Sequence, residues 1–363
     1  MARLLHGAGH RVILADSLRQ SVSFSTRAAK VCTVLPGPNQ GLGAYGAALG
    51  QLINKHKITD IVPTCEEVFH LAQLAGQGQL AAKLHAPSIA TLAQVHNKFT
   101  FQEIVREMGH AGPKTTLLAS AQDLVQVRAN AAKLVFKPVW SRFGSEVLIR
   151  PRPDEVNIAP SPNTPWLAQE ALSGDEICAY ALATQGRLTA LSLYKPLYRA
   201  GLGAGVFFEP LRDMPDLRAF VSAFVAATNW SGQISFDLML LPDGQIMPLE
   251  CNPRATSGLH FFADGPAFAA ALFAGKTAMP DVSRPQTIPL ALWLYAGPTA
   301  LTNGQLKQLW RDAKRADNLL RWPGDTAPAR RQLPALAEII WLALRRKQSL
   351  QAAATADIEW NGP

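Results

Sequence analysis

QISFDLMLLPDGQIMPLECNPRATSG, residues 233–258, is the stretch of sequence that decides the fold. It contains two apolar runs on either side of Pro242-Asp243-Gly244, which is a strong turn signal. The stretch therefore predicts a β-hairpin. If the last two residues of this tripeptide form a two-residue turn, the strand pairing places Asp237 directly opposite Glu250.

Two carboxylates opposite each other on paired strands repel unless a cation lies between them. Strand alternation also puts Asn252 on the same face as Glu250, with Cys251 on the other face. Carboxylate and amide oxygens are hard ligands that suit Mg²⁺ or Mn²⁺ better than zinc. The alternative is a solvent-facing hairpin with scattered acids, because a longer turn would shift the register and remove the opposition.

The same residues carry a resemblance. Asp237 followed by Glu250-Cys251-Asn252-Pro253-Arg254 resembles the metal hairpin of the ATP-grasp superfamily, in the branch that contains carbamoyl-phosphate synthetase, biotin carboxylase and amino-acid ligases. The resemblance covers residues 10–280. It implies that Asp237, Glu250 and Asn252 hold divalent metals on the ATP phosphates. It also implies that Arg254 is catalytic and meets the acyl phosphate or the substrate carboxylate.

Two lysines match the ATP-binding lysines of this superfamily. Lys137 ends the apolar strand predicted at 135–138 and resembles the phosphate-binding lysine, a point charge suited to phosphates. Lys98, at the start of the second of two helices predicted within residues 87–112, resembles the second ATP lysine at the domain junction. Without the resemblance, Lys137 is more typical of a surface charge.

The segment 141–145 resembles the flexible loop that closes over the phosphates through backbone N–H groups. The superfamily loop carries several glycines, whereas here only Gly144 is present, with Arg142 and Phe143 in the same loop. Ser141, Arg142, Gly144 and Ser145 are the expected contacts, and Arg142 either adds charge to the phosphates or faces water.

Residues 169–176 resemble the hinge that binds adenine. The resemblance assigns the adenine amino group to Glu170 and Leu172 and the ribose hydroxyls to Glu176. A strand and turn with solvated acids is the alternative.

A second basic segment precedes a glycine-rich stretch at 200–205. Lys195 and Arg199 are suited to gripping an anionic substrate, with arginine offering a bidentate fork. Ser257, shortly after Arg254, is a further substrate candidate. For the segment that contains Lys195 and Arg199, a plain exposed connection is the competing interpretation.

The composition excludes several classes of protein. The 363 residues have a formal net charge of +8 and a pI near 9.5, which favours anionic partners, yet no nucleic-acid module stands out. The four cysteines have no CxxC spacing, so neither a disulfide framework nor a zinc site is indicated. No apolar run is long enough for a membrane span, and no signal peptide is evident, so we expect a cytoplasmic protein.

Helix and strand patterns alternate, which predicts an α/β fold. The expected parts are a Rossmann-like pre-ATP-grasp domain (1–97), a two-lobed ATP-grasp domain with its hinge near residue 170 (98–280) and a small C-terminal α+β extension (281–363). The chain starts in what looks like the first helix of the Rossmann-like domain, so its first strand is expected to be missing. The basic helix predicted at 335–347 is expected to pack on its own domain rather than on a membrane.

Together these features predict a carboxylate–amine ligase that uses ATP and Mg²⁺ (or Mn²⁺), forms an acyl phosphate and releases ADP and phosphate. The expected partners are small-molecule carboxylates and amines, without nucleic acid or membrane, and a homodimer is left open. A carboxylating or kinase-type enzyme and a non-catalytic ATP-binding regulatory protein are the alternatives. Net charge alone suggests a nucleic-acid binder.

Overall fold

The computed structural model describes residues 1–141, 146–201 and 203–362. Its helices are α1 (Ala2–Gly7), α2 (Leu42–His56), α3 (Glu67–Gly76), α4 (Ile89–His96), α5 (Lys98–Glu107), α6 (Ala121–Arg128), α7 (Pro215–Ala227), α8 (Gly265–Ala274), α9 (Pro289–Thr302), α10 (Leu306–Arg315), α11 (Ala327–Arg330), α12 (Gln332–Arg346) and α13 (Leu350–Ala353).

The strands are β1 (Val12–Asp16), β2 (Ala29–Val34), β3 (Asp60–Ile61), β4 (Lys83–Leu84), β5 (Thr115–Leu118), β6 (Leu134–Pro138), β7 (Leu148–Ile149), β8 (Trp166–Glu170), β9 (Asp175–Thr184), β10 (Arg187–Ala200), β11 (Ala204–Pro210), β12 (Gly232–Leu240), β13 (Ile246–Asn252), β14 (Gln286–Thr287) and β15 (Asp317–Asn318). They form a seven-stranded sheet in the order β13-β12-β9-β10-β11-β14-β15 and a four-stranded sheet in the order β5-β8-β6-β7. The pairs β1-β2 and β3-β4 stand apart.

The seven-stranded sheet is buried on both faces at its centre. Alternate residues of β9 enter different cores because successive side chains of a strand point to opposite faces. Ala179 packs in the core that includes Phe224 of α7 and Phe101 of α5. Tyr180 packs in the core that includes Phe268 of α8. This double burial explains why the strand reads as an almost continuous apolar run.

The N-terminal part contains two parallel strand pairs that do not join. Residues 1–9 contain α1 and no strand, as expected from the sequence. Within the described ranges, strand β1 pairs only with β2, and β3 pairs only with β4. A cavity of about 390 Å³ lies between the pairs and is lined by residues 11–15 and 58–64. Of the predicted ATP and metal residues that the structure describes, none lines this cavity.

Two short strands lie in longer stretches of strand-like sequence. Of residues 58–63, only β3 pairs in the described part of the chain. Of residues 146–150, only β7 pairs there, because Glu146 and Arg150 on either side of it have φ angles of 60° and 51°. Extended pairing is impossible for a residue in this left-handed region.

The C-terminal residues extend the large sheet and then cross to the N-terminal part. Strands β14 and β15 add to the edge of the sheet beyond β11. The segment that follows α13 reaches the N-terminal part, where the side-chain amide of Asn39 donates to the carbonyls of Ala356 and Glu359. In the described part of the chain, no helix combines the length and apolar character that crossing a bilayer requires.

Candidate metal and nucleotide site

The hairpin of β12 and β13 has the predicted opposition of acids but not the predicted turn. Asp237 is the register partner of Glu250, whereas Leu238 pairs with Pro248. The two-residue turn was wrong: the N–H of Leu241 donates to the carbonyl of Gln245, so the connection has three residues. Leu249 is the extra residue of a β-bulge, which shifts the register back.

The bulge also frees backbone carbonyls for the site. The side-chain amide of Gln102, on α5, donates to the carbonyls of Pro248 (2.8 Å) and Leu249 (3.3 Å). Lys137, on β6, donates its Nζ to the same Leu249 carbonyl at 3.5 Å. Strand β13 is the edge strand of its sheet, which also permits a proline there. The irregularity therefore connects Lys137 in the four-stranded sheet to the strand that carries Glu250 in the seven-stranded sheet.

The facing carboxylates titrate differently. Burial and the Glu250 carboxylate raise the pKa of Asp237 to about 7. Although burial acts to raise it, Lys98 and Lys137 hold the pKa of Glu250 below its ordinary value. The thiol of Cys178 lies 3.1 Å from Oδ1 of Asp237. A divalent cation between the two acids would relieve their repulsion and keep both ionised.

The donor set fits Mg²⁺. The described residues contain no group of three His, Cys, Asp or Glu side chains placed to hold a metal. Asp237, Glu250 and Asn252 instead offer two carboxylates and an amide, and Mg²⁺ in phosphate sites uses few protein ligands, completing its shell with phosphate and water. Nδ2 of Asn252 donates to Asp237 at 3.0 Å, so the amide must reverse for its oxygen to face a cation.

Arg254 continues this network away from the acids. Its Nη2 donates to Oδ1 of Asn252 at 3.2 Å. Its Nε lies 3.7 Å from Oε1 of Glu66, a residue just before α3 whose side chain is 1% exposed. That separation is an ion pair but too long for a hydrogen bond. The buried Nε has no hydrogen-bond partner among the described residues.

Both predicted ATP lysines lie beside the acids. Lys98 is the first residue of α5, placed there by Asn97, whose side chain accepts the N–H groups of Phe99 and Thr100. Its Nζ lies 3.9 Å from Glu250 and donates to the carbonyl of Ser141 at 2.6 Å. Burial lowers the pKa of Lys137 to about 8, with Glu250 acting against this effect and Lys98 adding to it. The other predicted loop contacts, Arg142, Gly144 and Ser145, lie outside the described residues.

The predicted hinge acids and substrate cations pair with one another. Lys195 lies 2.7 Å from Asp175, and Arg199 lies 2.6 Å from Glu176. Glu170 is exposed at the end of β8 and accepts the N–H of Lys114 at 3.4 Å. Leu172 and Ser257 are half-buried, Leu172 between β8 and β9 and Ser257 in a short 3₁₀ helix.

Sequence reasoning missed the residues that other parts of the chain bring to Arg254. The sequence around Glu66 is typical only of the start of a helix. Trp360 was not considered, although its backbone N–H donates to Glu66 at 3.4 Å. Its indole stacks on Phe69 with 4.4 Å between ring centroids and 4° between the planes. No local pattern signals a contact between residues so distant in sequence.

The geometry can be compared with known proteins. No model of a protein family and no curated protein matches the sequence. A solved L-amino acid ligase from Bacillus licheniformis is similar, with a TM-score of 0.61 and 15% identity over 78% of this chain and 75% of that one. N5-carboxyaminoimidazole ribonucleotide synthetase, solved with ADP, has a TM-score of 0.57 and 15% identity over 83% of each chain. The chain has the ATP-grasp fold.

A third ATP-grasp structure was solved with nucleotide bound. It is the biotin carboxylase domain dimer of 2-oxoglutarate carboxylase from Hydrogenobacter thermophilus, in complex with MgADP, ADP and bicarbonate. Its TM-score is 0.59, with 12% identity over 77% of this chain and 68% of that one. In the present ATP-grasp fold, Lys137 and Glu170 come from the four-stranded sheet, and Glu176, Asp237 and Glu250 come from the seven-stranded sheet.

Proposed function

We propose that this protein is an ATP-dependent carboxylate–amine ligase that forms an acyl phosphate and releases ADP and phosphate. One observation carries the proposal: Arg254, whose side chain is 13% exposed, donates to the amide of Asn252 beside the acid pair while its Nε faces Glu66 at 3.7 Å. Each terminal nitrogen of the guanidinium carries two N–H groups, so the fork beside the acids can still bind an acceptor group. A substrate carboxylate is the acceptor that an arginine fork matches.

The side chains divide the work between nucleotide and substrate. Lys98 and Lys137 neutralise the phosphates, and Glu170, Leu172 and Glu176 bind adenine and ribose. A divalent cation held by Asp237, Glu250 and Asn252 supplies charge stabilisation for the transferred phosphoryl group. Arg254 orients the carboxylate for attack on the γ-phosphate, and an amine then displaces phosphate from the acyl phosphate. Positioning and electrostatics suffice, so no side-chain nucleophile is needed.

The remaining predicted residues have supporting roles in this proposal. Lys195 and Arg199 pair with acids at the hinge, and Arg199 holds the Glu176 carboxylate proposed to meet the ribose. Nucleotide binding must therefore share or displace that ion pair. Ser141, Arg142, Gly144 and Ser145 form the proposed phosphate loop. The proposed domain limits remain 1–97, 98–280 and 281–363.

The test is an ADP-release screen with MgATP and an equimolar pool of common amino acids and small carboxylic acids, with products identified by mass spectrometry. Acid-dependent ADP release, and a hydroxamate when hydroxylamine is added, are expected. Release of AMP and pyrophosphate would contradict the proposal, because that chemistry is adenylation. ADP release that depends on bicarbonate alone would assign a carboxylase instead, and a phosphorylated product without ligation would assign a kinase.

A further inference from the structure

The C-terminal segment 356–362 lies against the N-terminal part of the chain. The carbonyl of Asp357 accepts the N–H of Asn39 at 3.0 Å, and its carboxylate accepts the hydroxyl of Ser17. In α13, just before the segment, Gln351 donates to the carbonyl of Ala200 at 2.7 Å, at the end of β10. The segment is thus fixed to the N-terminal part, and the helix before it is fixed to the end of β10.

Trp360 is the residue of this segment that reaches the site. It is 9% exposed and belongs to the same core as the central strands. Its ring stacks on Phe69 and meets Trp140 edge-on at 5.2 Å between centroids. Trp140 directly precedes Ser141, the first residue of the predicted phosphate loop. A side chain at Gly362 would collide with the Trp140 ring, since an added Cβ would lie 2.9 Å from its Nε1.

A continuous series of polar contacts leads from Trp360 to the acids. The backbone N–H of Trp360 donates to Oε2 of Glu66, and the other oxygen of Glu66 faces Nε of Arg254. Arg254 donates to Asn252, which donates to Asp237. Glu66 is nearly inaccessible, so its carboxylate cannot take alternative partners from solvent. The position of the tail therefore determines where the Glu66 charge lies, and this charge orients the guanidinium.

We infer that Trp360 is a positioning residue for substrate binding: it holds Glu66 against Arg254 and, with its segment, closes the substrate side of the site. The effect of Trp360 on the affinity for the carboxylic acid rests on the proposed function, whereas its effect on the position of Glu66 does not. The carboxylic acid would meet Arg254 beneath this segment. The residues proposed to hold the nucleotide are not part of the contact series from Trp360 through Glu66 to Arg254.

The kinetic test compares Trp360→Ala, Trp360→Phe and Trp341→Ala. Trp341 is a matched control because it is 55% exposed on α12 and its ring lies under Arg345, away from the site. With the acid pool of the ADP-release assay as the probe, Trp360→Ala should raise its half-saturating concentration about ten-fold, because without the indole the segment loses its packing on Phe69 and its backbone N–H no longer stays on Glu66. The KM for MgATP should rise by less than this factor, although Trp360 also contacts Trp140 next to the predicted phosphate loop. Trp360→Phe should restore most of the affinity for the acid pool because it retains a ring on Phe69.

Hydrogen exchange provides a second measurement that needs no turnover. Trp360→Ala should accelerate amide exchange in residues 64–72, around Glu66, while residues 332–346 of α12 exchange as in the parent. If the parent shows no acid-dependent ADP release but this local acceleration occurs, the proposed function fails while the contact stands. Unchanged exchange in 64–72, or a parallel loss of affinity for MgATP and the acid pool, would overturn the inference.

Discussion

Asp237 lies directly opposite Glu250 because the strand that carries Glu250 contains one extra residue, Leu249. Near the turn the strands pair one residue out of step with this register, as the pairing of Leu240 with Ile246 shows. The bulge corrects the offset and leaves the Leu249 carbonyl available to Lys137. One backbone irregularity thus brings two acids and Lys137 into the same place.

The first prediction concerns the acid pair. Glu250→Gln removes a ligand charge but also the repulsion with Asp237, so ATP turnover should fall by about 100-fold or more while thermal stability is unchanged or higher. ADP release at saturating Mg²⁺ and the melting temperature measure the two effects. Asp243→Asn, at the exposed turn of the same hairpin, should leave turnover as in the parent. A Glu250→Gln variant with parent-like turnover would refute the metal assignment.

The second prediction concerns the bulge. Gln102→Leu removes the amide that serves the carbonyls of Pro248 and Leu249. The free energy of unfolding should fall by about 1–3 kcal/mol, because the buried Pro248 carbonyl loses its donor and the Leu249 carbonyl keeps only Lys137. Urea denaturation measures this difference. Gln73→Leu, on the exposed face of α3, should change the value by less than about 0.5 kcal/mol. Equal effects in the two variants would mean that the bulge does not depend on this amide.

The sequence predicted the acid opposition even though it predicted the wrong turn. A three-residue connection shifts the register by one, and the bulge shifts it back, so the two errors cancel at Asp237 and Glu250. Bulges leave no reliable local signal when both flanking runs are apolar. Pro248 in an otherwise regular strand was the one available hint, since proline within a sheet is confined to edges and bulges.

Local patterns also predicted the two lysines, because each lies at the boundary of a regular element. Lys98 follows the helix cap Asn97, and Lys137 lies near the end of an apolar strand. The contact between Glu66 and Trp360 could not be predicted from the sequence, for a physical reason. Their contact depends on how the C-terminal segment packs across the molecule, and only tertiary structure specifies that.

The third prediction concerns pH. Burial lowers the pKa of Lys137 to about 8, so its ammonium is charged below that pH and increasingly neutral above it. The affinity for MgADP should therefore weaken above pH 8, by at most about ten-fold per pH unit. Lys137→Arg should remove this dependence, because a guanidinium stays charged throughout the range.

Isothermal titration calorimetry at several pH values measures the effect. Binding near pH 8 should also take up protons, since the phosphates favour the charged lysine, and buffers of different ionisation enthalpy reveal that uptake. Lys133→Arg is the control, because Lys133 is exposed just before β6. A decline above pH 8 that persists in Lys137→Arg would assign the titration to another group.

The last prediction concerns Arg254. Arg254→Lys keeps the positive charge near Glu66 and Asn252 but loses the planar fork. Acid-dependent ADP release should fall by about 100-fold, corresponding to about 3 kcal/mol, because a single ammonium cannot hold a carboxylate in a bidentate geometry. The affinity for MgADP should change little, since the proposed function assigns the phosphates to Lys98 and Lys137. Arg218→Lys, at an exposed ion pair with Asp213, controls for the loss of a surface guanidinium. If Arg254→Lys weakens MgADP binding as much as it reduces acid-dependent turnover, Arg254 serves the nucleotide and not the carboxylate.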